Sequence, residues 1–288
     1  MLICNNQLSA TQLQAVDVLA ALCHGTDGGL PALYRHILEQ KRITDNNVLY
    51  FQENNLLGFL SVYFFYADAC EVSILVAPTH RRQGIAKQLL RAILPLLTIK
   101  QITTLIFSTP PVINETWLTR LGFHYRHSEY HMQRQSYEPV LLTRQVLSIK
   151  KATPEDIPAL CAIDERCFKE KQDNMPARFD NLLSEGNYTL LLAYHGEKAV
   201  GKAHIRWHAE ETILSDIAIL PSYQGQGWGG ELLACCINHA LMQGKTKLAL
   251  DVETSNHNAL NLYTRHGFKS VNATDYWTAP IDKLHNFS

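Results

Sequence analysis

Two runs of strand-like residues, Val48–Gln52 and Leu57–Tyr66, flank the polar turn Glu53-Asn54-Asn55, a pattern that predicts a β-hairpin. An apolar strand over Val72–Val76 follows, then helical periodicity at 84–97 and another apolar strand at 103–108. Leu121-Gly122-Phe123 closes this series, with glycine suited to end a helix and phenylalanine to begin a strand. The same order then returns. Tyr188–Tyr194 and Ala199–His208 flank the turn Gly196-Glu197-Lys198, and the strand Thr212–Leu220 comes next. A helix at 227–243, a strand at 247–253 and His266-Gly267-Phe268 complete the second series. Each half reads as a helical entry, an antiparallel meander, then helix, strand, helix and final strand. The expected class is α/β (α+β), with two tandem domains, each a mixed central sheet carrying helices on both faces.

The repeat has a constant offset. Leu57-Gly58 and Val200-Gly201, Pro78 and Pro221, and Gly84 and Gly227 are each 143 residues apart. A chain of 288 residues suits two domains of this size, each large enough to bury a core. The strand Leu147–Ala152 and the helix start Thr153-Pro154-Glu155-Asp156 open the second half, with proline at the first helical position and acids in the first turn. Pro139 and the polar stretch Gln133–Tyr137 supply the connector, so the expected domains are 1–142 and 143–288.

Composition narrows the function. With 46% hydrophobic and 18% charged residues the chain is globular, and a net charge of -1 provides no global field for nucleic acid or an anionic membrane. The sequence contains neither a bilayer-length apolar run nor a signal-peptide pattern, which predicts a cytoplasmic protein without a membrane partner. The seven cysteines are scattered and unpaired in spacing, pointing to free thiols. The 13 histidines show no metal-ligand spacing, since His204 and His208 lie on a strand-like segment, and no metal is expected.

The chemistry lies in two loops. Val76-Ala77-Pro78-Thr79-His80-Arg81-Arg82-Gln83-Gly84-Ile85-Ala86 and Ile219-Leu220-Pro221-Ser222-Tyr223-Gln224-Gly225-Gln226-Gly227-Trp228-Gly229 each lead from an apolar strand through proline into an apolar helix. A helix N-terminus offers unpaired N–H groups and partial positive charge, and glycines at 225, 227, 229 and 230 let the backbone approach phosphate oxygens. A short glycine loop alone is also an ordinary strand-to-helix turn. Its recurrence in the same context favours a phosphate-bearing ligand.

These residues resemble the GNAT superfamily of acyl-CoA-dependent N-acetyltransferases, whose phosphate motif [Gln/Arg]-x-x-Gly-x-[Gly/Ala] both loops match. The segment Leu248–Tyr263, followed by Gly267-Phe268, is similar to bacterial ribosomal-protein N-terminal acetyltransferases, and the tandem plan resembles mycothiol synthase. The resemblance covers 200–270 well and 56–124 more loosely. It implies acetyl-CoA as co-substrate and a primary amine, on a small molecule or a peptide, as acceptor. By the same resemblance Gln224, Gly225, Gln226, Gly227, Trp228, Gly229 and Gly230 hold the pyrophosphate. Main-chain groups of Ile217 and Ile219 pair with the pantetheine arm, and one of their N–H groups serves the oxyanion. Asn256 contacts the cofactor or caps the following helix, two compatible roles. Tyr263 is the acid for the departing thiolate, and Asp251 is the base, with Asp216 and Glu253 as rivals. The first loop offers Val76, Arg81, Arg82, Gln83, Gly84, Ile85 and Ala86 to a second acyl-CoA.

The first half departs from the pattern. Aligning Gly122-Phe123 with Gly267-Phe268 puts Leu118 at the acid position, and the strand Leu105–Ser108 has no carboxylate. Tyr125, Tyr130 and His131 are the side chains that would have to substitute as the acid there. This half is expected to wall the cleft and stabilise the second, without transfer chemistry. Phe168–Leu183 falls where the family places acceptor-binding helices. Two other readings stay open: a non-catalytic acyl-CoA sensor, and a protein N-terminal or lysine acetyltransferase.

Overall fold

The computed structural model describes residues 1–142, 144–168, 174–209 and 211–287. In chain order the first half forms β1 (Leu2–Asn5), α1 (Ala10–Asp27), α2 (Arg35–Leu38), β2 (Asn47–Gln52), β3 (Asn55–Tyr63), β4 (Ala69–Val76), α3 (Ile85–Ile99), β5 (Thr104–Thr109), α4 (Glu115–Arg120) and β6 (His124–Gln135). The second forms β7 (Ser148–Lys151), α5 (Ile157–Cys167), α6 (Met175–Ser184), β8 (Tyr188–His195), β9 (Lys198–Arg206), β10 (Thr212–Ile219), α7 (Trp228–Met242), β11 (Lys247–Glu253), α8 (His257–Arg265) and β12 (Lys269–Pro280). The mixed α/β class expected from the pattern is the class found.

Local chemistry explains the boundaries. Ser9 and Gln12 form a capping box that starts α1, which Gly28 ends in the left-handed region at φ 72. Thr153 and Asp156 form a second capping box, but this segment opens as a 3-10 turn before α5 begins. The repeated glycine of the hairpin has a steric cause. A β-carbon on Gly201 would lie 2.5 Å from Ile219 Cδ1, and one on Gly58 would lie 2.5 Å from Ile85 Cγ2.

The chain forms two compact units, and they are not the two sequence halves. One comprises Met1–Tyr130, Glu253–Ser255 and Asn272–Ser288; the other comprises His131–Val252 and Asn256–Val271. The first unit's sheet runs β1-β2-β3-β4-β5-β12. Strands β4 and β5 are parallel, and β12 pairs antiparallel with β5 from Asp275↔Thr109 to Pro280↔Thr104. Trp277, Ala279 and Leu284 therefore sit in the core built by α1, α3 and β2–β5. The second unit's sheet runs β7-β8-β9-β10-β11, with the last residues of β6 beside β11. Ser136 N–H donates to the Thr246 carbonyl at 3.1 Å, and Arg134, buried, donates to the carbonyls of His266 and Glu138. Each half's closing strand thus contributes to the other unit.

Candidate active site

In the second unit β10 and β11 run parallel for only two register pairs, Thr212↔Leu248 and Ile213↔Ala249, and then part. Beside the parting, the β9–β10 ladder shifts register between Ser215 and Ala218. Asp216 lies within this bulge at φ 49, a left-handed conformation that a non-glycine residue holds only when its surroundings over-determine it. The surroundings are ionic. His204 Nδ1 is 3.1 Å from Asp216 Oδ2, while Lys202 and Arg178 each lie 3.7 Å from Oδ1. Lys202, wholly buried on β9, pairs with Asp164 of α5 at 2.6 Å, and Arg178 of α6 lies 3.4 Å from the same carboxylate. Burial works against the charge on Asp216, but the His204 hydrogen bond and the charges of His204, Lys202 and Arg178 hold its carboxyl well below the usual carboxylate range.

The register places the sequence-derived residues on this frame. Asp251 is two positions beyond Ala249 and shares its face, the face that also carries Ile213, Ser215, His204 and Lys202. Its Oδ1 is 2.8 Å from His131 Nδ1, on the last residues of β6, and half of the Asp251 side chain is exposed. Glu253, the third candidate carboxylate, accepts from the Ser255 hydroxyl at 3.2 Å. Asn256 caps α8 by accepting from the Ala259 N–H at 3.1 Å. Tyr263 is buried on α8, edge-on to Phe268 at 6.1 Å. Burial, with Cys236 nearby, pushes its phenol up to about 12, so it carries its proton at any working pH. Ile217 stands in the bulge and Ile219 at the end of β10.

The loop after β10 is open for an anion. Gly225 and Gly227 take φ 78 and 84, which turns successive N–H groups toward one side at the start of α7. No side chain caps α7, and among the described residues the N–H groups of 225–229 have no main-chain acceptor. Gln224 donates its side-chain amide to the Ile219 carbonyl at 2.8 Å. Trp228 stacks on Tyr223 at 5.3 Å. A cavity of about 680 Å³ lies against this loop, lined by Gln226, Gly227, Trp228 and Gly230, by His195 and His266, and by Val140–Leu142, Arg144 and Val146 of the connector. Glu231 holds the connector by accepting from Val146 and Leu147 N–H at 2.8 and 2.7 Å, and Asn238 holds it at Val140.

The first unit repeats the loop but not the opening. Gly84 has φ 80, and Arg82 takes φ 60 where the second loop has Gly225. Arg81 donates through Nε to the Val76 carbonyl at 3.1 Å, as Gln224 does to Ile219, and its two terminal nitrogens lie 2.7 and 2.6 Å from Asp27. Its charge is spent on that carboxylate. Gln83 donates to the Thr79 carbonyl at 3.5 Å, and Ile85 is buried at the start of α3. Strands β4 and β5 stay paired from Ala69↔Thr104 through Ser73↔Ser108, and β3–β4 has no bulge. At the 143-residue offset Ser73 matches Asp216, so this ladder remains closed three residues past the point where β10 and β11 part. The face carrying Ser73 is covered by the segment 30–34. Ser73 and Ser108 hydroxyls bind Ala32 main-chain groups at 2.5 and 3.2 Å, and the Tyr34 hydroxyl donates to Glu71 at 3.0 Å. Leu118 is fully buried.

Glu71 makes a testable point about this closed face. Burial pushes its carboxyl up to about 8, against the Tyr34 hydrogen bond, which lowers it. A raised carboxyl stabilises the fold below the unfolded value and loses that contribution as pH rises through about 8. Denaturant unfolding between pH 5 and 9 is expected to show a loss of roughly 4 kcal/mol, and Glu71→Gln is expected to flatten the dependence.

Sequence reasoning named His131 only as a substitute acid of the first half, and missed its pairing with Asp251 and the Asp164–Lys202–His204–Asp216–Arg178 network. Of the segment 168–183 expected to bind the acceptor, residues 169–173 lie outside the described residues, while α6 supplies Arg178 and Phe179. No helix among the described residues is long and apolar enough to cross a membrane. Among the same residues, no group of three or more His, Cys, Asp or Glu is placed to hold a metal ion.

The sheet thus parts at a bulge beside an uncapped glycine loop. The model of the acetyltransferase (GNAT) family matches residues 21–115 and again 157–268, and the chain belongs to that family. The two matches make it a tandem member. A mycothiol acetyltransferase of Jonesia denitrificans is 36% identical over 77 residues, 27% of this chain and 24% of that protein. A ribosomal protein bS18-alanine N-acetyltransferase of Haemophilus ducreyi is 33% identical over 78 residues, 27% of this chain and 54% of that protein. Both matches thus span less than two thirds of the relative's length. A GCN5-related N-acetyltransferase from Sphaerobacter thermophilus has the same fold over 97% of this chain and 96% of its own, with a TM-score of 0.80 at 16% identity.

Proposed function

We propose that the chain transfers the acetyl group of acetyl-CoA to a primary amine by direct attack in a ternary complex, with the chemistry in the second unit. The observation that carries this reading is the parting of β10 and β11 after Ile213 and Ala249, beside the Asp216 bulge and the open start of α7. The residues present fit the co-substrate. The glycine loop has unspent N–H groups for a pyrophosphate, and the freed edge of β10 has main-chain groups for a pantetheine arm.

Acetyl-CoA supplies the thioester. Asp251 receives the proton that the attacking amine gives up, for which its exposed carboxylate suits it better than Asp216, already committed to His204, Lys202 and Arg178. The Ile217 N–H, within the bulge, donates to the acyl oxygen as charge develops there. Tyr263 gives its proton to the departing sulfur, and its raised phenol keeps that proton available. The first unit has a closed slot, a covered face and Leu118 at the acid position, so it serves as scaffold.

The test is acetyl-CoA consumption with a panel of glucosamine, lysine, spermidine and an alanine-initiated peptide. Amine-dependent release of CoA is expected, and Tyr263→Phe is expected to lower turnover about 100-fold without weakening acetyl-CoA binding. A small amine as best substrate would favour small-molecule acetylation, and the peptide would favour the protein-directed reading. Saturable acetyl-CoA binding with no amine-dependent release across a broad panel would favour a sensor.

A further inference from the structure

His131 lies on β6, the strand that closes the first sequence half, yet its place is in the second unit. Its Nδ1 is 2.8 Å from Asp251 Oδ1, while Oδ2 of that carboxylate has no recorded partner among the described residues. One oxygen is held, and half of the side chain is exposed. Behind His131 the contacts are equally ordered. Gln133, also on β6, donates its amide to Glu211 at 2.7 Å and lies 3.4 Å from His131 Nε2. Glu211, just before β10, is 3.8 Å from Nε2 and is itself 3.4 Å from Lys247 of β11. The groups facing the imidazole are therefore Asp251 and Lys247 from β11, Glu211 from the approach to β10, and Gln133 from its own strand. Because Gln133 presents N–H to Nε2, the neutral ring keeps its proton on Nδ1 and donates it to Asp251.

We infer that His131 is a positioning residue for the acetyl-transfer base, aiming Asp251 with its Nδ1–H and setting the pH below which Asp251 stops taking the amine's proton. The inference rests on the reading of Asp251 as base. While the ring is neutral, Asp251 is oriented by a hydrogen bond and carries no ion-pair partner on His131. When Nε2 also gains a proton, an imidazolium stands 2.8 Å from the carboxylate and holds it in an ion pair, which opposes proton transfer from the amine. The midpoint is displaced from the ordinary histidine range. Burial works downward on His131, but the hydrogen bond and charge of Asp251, with the charge of Glu211, outweigh it and raise the value above 6.5 despite Lys247. The active form is therefore present at high pH and lost as pH falls through that raised value. The arrangement also gives the first half a role in catalysis, because its closing strand carries the ring.

The experiment uses the full chain with the best amine of the panel, comparing wild type, His131→Asn, His131→Leu and Asp251→Asn from pH 5.5 to 9. Asparagine keeps a donor for Asp251 but cannot gain charge. At pH 8.5 His131→Asn is expected to turn over within about threefold of wild type, whereas His131→Leu, lacking the donor, falls at least tenfold. At pH 6 the ratio of His131→Asn to wild-type kcat is expected to rise at least fivefold over its value at pH 8.5, with KM for acetyl-CoA unchanged. Taking the ratio cancels the amine's own protonation. A ratio constant with pH, with Asp251→Asn inactive, would overturn the role of His131 and leave Asp251 as base. Full activity of Asp251→Asn would instead overturn the reading of Asp251 on which this inference rests.

Discussion

A polypeptide of residues 143–288 alone is expected not to fold. The second unit needs 131–142, which deletion removes. Those residues lay the end of β6 beside β11, donate Arg134 to the His266 and Glu138 carbonyls, and fasten Val140 to Asn238. The fragment would also carry residues 272–287 without β5, leaving Trp277, Ala279 and Leu284 with no core to enter. Stranding three buried apolar side chains and an open sheet edge, with the lost ladder bonds, is comparable to the roughly 5–15 kcal/mol that holds a typical domain together. The fragment 1–142 suffers the converse loss, since β5 has no β12 to pair with. Circular dichroism and thermal melts are expected to show no cooperative transition for either piece, and co-expression of both is expected to restore one. A cooperative melt of 143–288 alone would show that the exchanged strands are dispensable.

The features legible in the sequence were those encoded locally. Glu53-Asn54 and Gly196 mark their hairpins because turns require particular residues, and the 143-residue offset exposed the repeat without any tertiary knowledge. The loop glycines were legible for the same reason, and Gly225 and Gly227 do adopt left-handed backbone. Long-range pairing left no such mark. Nothing in the alternation of β6 or β12 says which sheet each will join, so His131 read as a residue of the first half. The strand Lys202-Ala203-His204-Ile205-Arg206 alternates polar and apolar residues like one with a solvated face, yet Lys202 and His204 are buried under α5 and α6. Helix cover is a tertiary fact, and only the structure shows that Asp164 and Asp216 make that burial tolerable. The bulge was equally hidden, since an aspartate at φ 49 has no signature in a single sequence.

The second large effect concerns the loop itself. Gly227→Glu forces a side chain into φ 84, a strain of about 1–2 kcal/mol, and sets a carboxylate at the N-terminus of α7 where a pyrophosphate is proposed to lie. Acetyl-CoA affinity is expected to fall at least 1000-fold, because like charge replaces the attraction that the open N–H groups provide. Gly84→Glu is the matched control, with the same substitution at φ 80 at the start of α3. Both variants bear similar backbone strain, so a difference between them reports the ligand and not the fold.

The loop after β10, and not the loop after β4, is proposed to grip acetyl-CoA. Calorimetric titration of the full chain with acetyl-CoA tests it directly. One equivalent bound by wild type and by Gly84→Glu, with none detected for Gly227→Glu at millimolar ligand, is the predicted result. Unchanged binding in Gly227→Glu with loss in Gly84→Glu would place the ligand on the loop after β4 instead.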